Sequence, residues 1–122
     1  MKKKSVLFVG SARKDISSFP DEVKLSMGHG IYLAQIGEKH PDAKPLKGFG
    51  GAGILEIVDD HDGDTYRAVY TVRYDAFVYV LHAFQTKSKR GVATSRADTE
   101  LIKARLRAAE EDYRSHWKGE SG

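Results

Sequence analysis

A chain of 122 residues, 40% hydrophobic and 30% charged with only 3 Pro, has the make-up of one globular domain, 1–122, and not of a disordered or low-complexity polymer. It has no Cys, which excludes disulfides and thiolate metal sites, and no stretch approaches the roughly 20 apolar residues needed to cross a bilayer, so a cytoplasmic protein is the expectation. The formal net charge of +3 is uneven: residues 1–64 carry 9 Lys/Arg against 10 Asp/Glu, whereas residues 65–122 carry 11 against 7.

The apolar run Ser5 to Gly10, after three lysines, is too short for a secretion signal, is followed at once by Arg13-Lys14-Asp15, and predicts a strand. Ser17-Ser18-Phe19-Pro20-Asp21 predicts a helix start, with a Ser cap, an early Pro and an acid in the first turn. Phe19, Val23, Met27, Ile31 and Ala34 form the helical stripe, Gly30 suits a close approach to a sheet, and Gly37 is the stop. Glu38 to Gly53, with two Pro and four Gly, reads as a loop. Three strands are expected next, Ile54–Val58, Tyr66–Tyr74 and the very apolar Phe77–Phe84, joined at Asp59–Asp64 and at Asp75-Ala76 into an antiparallel meander. After the basic loop Thr86–Thr94, Ser95-Arg96-Ala97-Asp98 has the form of a capping box. The helix it opens carries an apolar stripe of Ile102, Leu106, Ala109 and Tyr113, bordered by a cationic row of Arg96, Lys103, Arg107 and Arg114. The expected fold class is α+β, order β-α-β-β-β-α, with helices packed on an antiparallel sheet.

Gly48, Gly50 and Gly53 in "KGFGGAG" match G-x-G-x-x-G, but they follow a loop and precede a strand, the reverse of what a dinucleotide site needs. A turn is the expectation, with Lys47 placed to meet a phosphate or a partner protein. The acidic run Asp59–Asp64 does not fit the calcium-loop pattern, since Val58 would stand at the first ligand position, and it reads as a hairpin turn. No nucleophile elbow or H-E-x-x-H occurs, and the five His show no metal-ligand spacing. Seven cations in Gln85–Arg107 suit either a polyanion such as nucleic acid or a solvated surface. On the meander, Arg67 and Arg73 are either phosphate ligands or ion-pair residues. His82, expected on one face with Val78, Val80 and Phe84, is either a hydrogen-bonded core residue or a proton-transfer group.

The stretch Tyr66 to Leu106, "YRAVYTVRYDAFVYVLHAFQTKSKRGVATSRADTELIKARL", resembles the phage-derived HigB-like branch of the RelE/HigB toxin superfamily. The Y-R-x-x-Y strand, the V-x-x-L-H-x-F strand, the Lys/Ser-rich loop and the A-R helix carry the likeness, and "KPLKGFGGAGILEI" extends it upstream. The resemblance implies a small RelE-like fold and a toxin of a type II toxin–antitoxin pair. It implies a metal-independent endoribonuclease that cuts mRNA, often on the ribosome, and is silenced by an antitoxin of helix-turn-helix type. Of the working groups of RelE-type toxins, the arginine of the Y-R-x-x-Y strand is matched by Arg67, and the basic residue after the last strand by Lys87 or Lys89. The strand lysine pair has no counterpart, because "ILEIV" offers only Glu56, and no Tyr stands in Gly91–Asp98.

RNA cleavage by side chains needs the 2′-hydroxyl deprotonated, the 5′-oxygen protonated and the charge on phosphorus stabilised. The permanently charged Arg67 and Arg73 suit the last task, and His82, Lys87 and Lys89 are the candidates for proton transfer. Lys47, Arg90, Arg96, Lys103 and Arg107 are candidates for holding RNA phosphates. The alternative is a binding module that keeps the toxin fold without the chemistry.

Overall fold

The computed structural model describes residues 3–50, 53–86 and 94–117, with the backbone alone at Trp117. The elements are β1 (Ser5–Phe8), α1 (Ala12–Ser17), α2 (Asp21–Gln35), β2 (Ala43–Pro45), β3 (Ile54–His61), β4 (Asp64–Thr71), β5 (Phe77–Thr86) and α3 (Arg96–Trp117). The α+β class and the expected core order hold, with α1 and β2 as short additions. Strands lie in the order β1-β5-β4-β3-β2, antiparallel throughout except that β1 runs parallel to β5, Ser5 opposite Phe77 and Phe8 opposite Val80.

Both sheet faces are covered. On one, Val23, Met27, Ile31 and Ala34 of α2, with Phe19 just before it and Ala12 of α1, pack against Ile57, Ala68, Tyr70, Val78 and Val80. On the other, Ile102 and Ala109 of α3, both buried, close over Leu46, Ile54, Val69, Tyr79 and Leu81, with Leu106 and Tyr113 at the margin. Residues on both faces of β5 are therefore core residues, which is why its sequence is apolar at nearly every position. The cost of that tight burial shows at Tyr70, whose phenol is pushed up to about 12 by desolvation and whose hydroxyl has no partner among the described residues.

The ends of the elements follow local chemistry. Helix α2 stops in a Schellman motif: Gly37 adopts φ +81°, Glu38 N–H donates to the Leu33 carbonyl at 2.7 Å and Gly37 N–H to that of Ala34 at 3.2 Å. Its start differs from expectation, because Pro20 is the N-cap and no side chain caps it. Ser17 and Ser18 instead end α1, the Ser18 hydroxyl donating to the Asp15 carbonyl at 2.7 Å. The acidic run holds the expected hairpin turn, confined to its centre. Asp62 (φ +49°) and Gly63 (φ +84°) form a two-residue hairpin loop of the I′ kind, which lets β3 run on to His61. Strand β4 ends at Thr71, so Arg73 lies beyond it.

The β4–β5 register slips once. Val69 lies opposite His82 but Tyr70 lies opposite Val80, so Leu81 is an extra residue on β5. Leu81 and His82 consequently both serve the α3 face, whereas Val78 and Val80 serve the α2 face. This corrects the expectation that His82 shares a face with Val78 and Val80; it keeps only Phe84.

Gly30 tests how closely α2 lies on the sheet, since a methyl group there would collide with Ile57, whereas one at Gly28 would meet nothing. Gly28→Ala should therefore stabilise the protein by about 0.5–1 kcal/mol through helix propensity. Gly30→Ala should destabilise it, and Ile57→Val should recover part of that loss; urea unfolding of the three variants checks the order.

Candidate functional site

Charged and polar side chains gather on the α3 face of the sheet, where the start of α3 packs against β5 and neighbouring side chains of β4 and β3 join them. Glu56, Val69 and His82 stand opposite one another across three strands, and the next rung is Val58, Arg67 and Phe84. Arg67 and His82 thus lie on the same face of the sheet.

Arg67 is buried, and its Nη1 lies 3.1 Å from Glu56 Oε2, with both side chains 6% exposed. Burying either charge alone would be costly, so the pair stands or falls together. The Thr94 hydroxyl also donates to Glu56 Oε2, at 3.4 Å. The position where the sequence shows a glutamate in place of a lysine pair is therefore the counter-ion of the arginine. That link depended on strand register and could not be read from spacing.

His82 is also buried, its ring stacked on Phe84 with centroids 4.5 Å apart. Its Nε2 lies 2.8 Å from Asp98 Oδ1, and its Nδ1 lies 3.4 Å from Arg105 Nη1. Asp98 does double duty. Its backbone N–H donates to Ser95 Oγ at 3.1 Å, the serine half of the expected capping box, while its Oδ2 accepts from the Ser95 hydroxyl at 2.8 Å and not from the Ser95 backbone. The sequence marked Asp98 as a cap and Arg105 as one cation among seven; their contact with His82 is a tertiary fact with no local signal.

The other expected residues are dispersed. Arg73 is exposed past the end of β4, its backbone beside Gly53 and its guanidinium 6.0 Å from the Tyr74 ring. It does not share the strand face with Arg67, because β4 ends at Thr71. Lys47 is exposed in the glycine-rich turn, where Gly48, Gly50 and Gly53 all take positive φ, in keeping with a turn and not a cofactor cradle. Arg96, Lys103 and Arg107 are exposed along α3, and Arg114 pairs with Glu110 at 2.7 Å. Lys87, Lys89 and Arg90 lie outside the described residues.

Elsewhere, a groove of about 660 Å3 runs between β1, the start of β5 and the second half of α3. At its side the Tyr79 hydroxyl donates to Asp112 Oδ2 at 2.7 Å; burial first, then this carboxylate, raises the phenol above its ordinary value. No group of three or more His, Asp or Glu among the described residues is placed to hold a metal ion. No helix among them is long and apolar enough to cross a membrane.

The family model described as "Phage derived protein Gp49-like (DUF891)" matches residues 14–107. The chain belongs to this family, a RelE-type toxin family. A search of curated proteins returns no match. Among solved structures, the chain is similar to the RelBE2 toxin–antitoxin complex of Mycobacterium tuberculosis, at 22% identity and a TM-score of 0.43 over 72% of this chain and 97% of that chain.

The buried pair makes a clear energetic prediction. Arg67→Ala should destabilise the fold by about 3–5 kcal/mol, because it leaves the buried Glu56 carboxylate without this counter-ion, and Glu56→Ala should destabilise it too, by removing the carboxylate 3.1 Å from the guanidinium. The paired variant Glu56→Met/Arg67→Met should unfold in urea close to the wild-type midpoint or above it.

Proposed function

We propose that this protein is the toxin of a type II toxin–antitoxin pair and that it cleaves mRNA through its own side chains. The observation that carries the reading is the pairing of family membership with one polar cluster, Glu56–Arg67 beside Asp98–His82–Arg105, next to the cationic row of α3. In this reading Arg67 stabilises the charge that develops on the phosphorus, and His82 with Asp98 moves the proton. Lys87 and Lys89 supply further cationic or proton-transfer groups, and Arg73 supports the phosphate from the edge. Lys47, Arg90, Arg96, Lys103 and Arg107 hold the RNA backbone. A helix-turn-helix antitoxin silences the toxin, and the ribosome presents the message.

One observation favours the second reading, a binding module of the same fold without cleavage. Arg67 already has Glu56 as a counter-ion at 3.1 Å, and an arginine so neutralised offers less field to a phosphate.

Induced expression decides between them. The first reading requires growth arrest, new mRNA 5′ ends and rescue by the neighbouring antitoxin gene; arrest without new 5′ ends selects the second. Because Arg67→Ala alone risks unfolding, the informative variant is Glu56→Met/Arg67→Met, which should keep its fold and abolish arrest. If that folded variant stays fully toxic, Arg67 has no part in the chemistry.

RNA binding gives a second check. Lys103→Gln/Arg107→Gln should weaken binding to all sequences alike and lower the slope of log K against log salt by about 1–2, roughly one for each phosphate that is no longer neutralised. An unchanged slope removes these two residues from the interface.

A further inference from the structure

The side chain of Arg105 is placed unlike the other cations of α3. It is half-buried and turns inward, and its Nη1 donates to the Leu81 carbonyl at 3.0 Å and reaches His82 Nδ1 at 3.4 Å. Its Nη2 donates to Ser11 Oγ at 3.1 Å, and that hydroxyl donates in turn to Asp15 Oδ2 at 2.8 Å. The backbone of Gly10, at φ +58°, lies against the guanidinium so closely that a Cβ there would sit 2.8 Å from Nε. One side chain therefore ties α3 to the β5 bulge and to the turn between β1 and α1.

From this geometry we propose that Arg105 is a positioning residue that keeps Nδ1 of His82 bare and, with Asp98 on the other side of the ring, makes Nε2 its working nitrogen. A guanidinium can only donate, so a ring nitrogen facing it must be the bare acceptor. Nδ1 is thereby assigned as unprotonated, and the ring proton sits on Nε2, where it donates to the Asp98 carboxylate at 2.8 Å. The two sides of the ring differ in chemistry. Nδ1 faces Arg105, which can only donate, beside the Leu81 carbonyl, whereas Nε2 faces the Asp98 carboxylate, whose side chain is 27% exposed. Any proton that His82 exchanges with a ligand passes through Nε2, on the side of Asp98. The bulge is part of the device, because without the extra Leu81 neither its carbonyl nor the His82 ring would meet the same guanidinium.

The proposal deepens the reading of His82 as the proton-transfer group and rests on it for its functional meaning, but the tautomer itself is measurable without any substrate. The full-length protein, labelled with 15N, is compared with Arg105→Met, which keeps an apolar stem and removes the donors, and with Arg105→Lys, which restores a donor. In the wild type, His82 should show a protonated Nε2 and a bare Nδ1. In Arg105→Met the Nδ1 resonance should shift because that nitrogen loses its donor, while Nε2 stays protonated against the Asp98 carboxylate, and in Arg105→Lys the Nδ1 resonance should move back. A wild-type ring protonated on Nδ1 overturns the proposal, as does a folded Arg105→Met with unchanged resonances. Should Arg105→Met fail to fold, Ser11→Ala removes only the Nη2 anchor and should shift the His82 resonances in the same direction; no shift there counts against the proposal.

A cleavage assay on the same samples separates this idea from the proposed activity. If the wild type cuts RNA, Arg105→Met should lower kcat by about 100-fold with KM little changed, and Arg105→Lys should recover part of it. Full activity in folded Arg105→Met overturns the positioning role. A wild type with the expected tautomer that leaves RNA intact would refute the nuclease reading and leave the role of Arg105 in holding the ring established.

Discussion

The structure turns on one extra residue in β5. With Leu81 inserted against β4, two consecutive side chains face α3 instead of one: Leu81 joins the apolar contact with Ile102 and Ala109, and His82 is left to the polar residues at the start of the helix. Strict alternation would send one of the two to the α2 face, among Val78, Val80 and Ala83. An imidazole there would have only apolar neighbours, and its desolvation would go uncompensated. The bulge lets a strand that is core on both faces also carry a functional group, and it frees a carbonyl for Arg105 at the same point.

Around that point, charge is arranged in balanced pairs. Arg67 has Glu56, and His82 lies between the carboxylate of Asp98 and the guanidinium of Arg105. Balanced pairs can be buried where single charges cannot, and they hold strands and helix in one register. The cations of the outer row, Arg96, Lys103 and Arg107, are exposed along α3 and remain in water. The inner pairs therefore shape the site, while the long-range field that would draw in a polyanion comes from the outer row.

Most of the frame was legible in the residues. The α2 stripe, the Gly37 stop, the three-stranded meander, the Ser95/Asp98 start of α3 and its Ile102–Ala109 stripe each rest on local periodicity or local capping, which a short window contains. The short elements were not legible for the same reason: α1 has six residues and β2 three, with Pro45 at the end of β2, too few to show a period. The bulge was invisible because Phe77–Phe84 is apolar on both faces, so a slip of one residue leaves no mark in the pattern. Of the site, Arg67 and His82 were visible as polar residues on apolar strands. Their partners were not, since Glu56, Asp98 and Arg105 meet them only through strand register and helix docking.

The parallel pairing of β1 with β5 sets the order in which the molecule can be completed as it emerges from the ribosome. Ser5 waits for Phe77 before the sheet has its fifth strand, and neither Asp98 nor Arg105 can reach His82 until α3 has followed. Helix α2 and the meander can form earlier, since their contacts are closer along the chain, whereas the polar cluster depends on α3, which follows them in the chain. A nascent chain stalled before α3 would carry the strands but no assembled site. The finished cluster thus exists only once α3 has been made and has docked on the sheet.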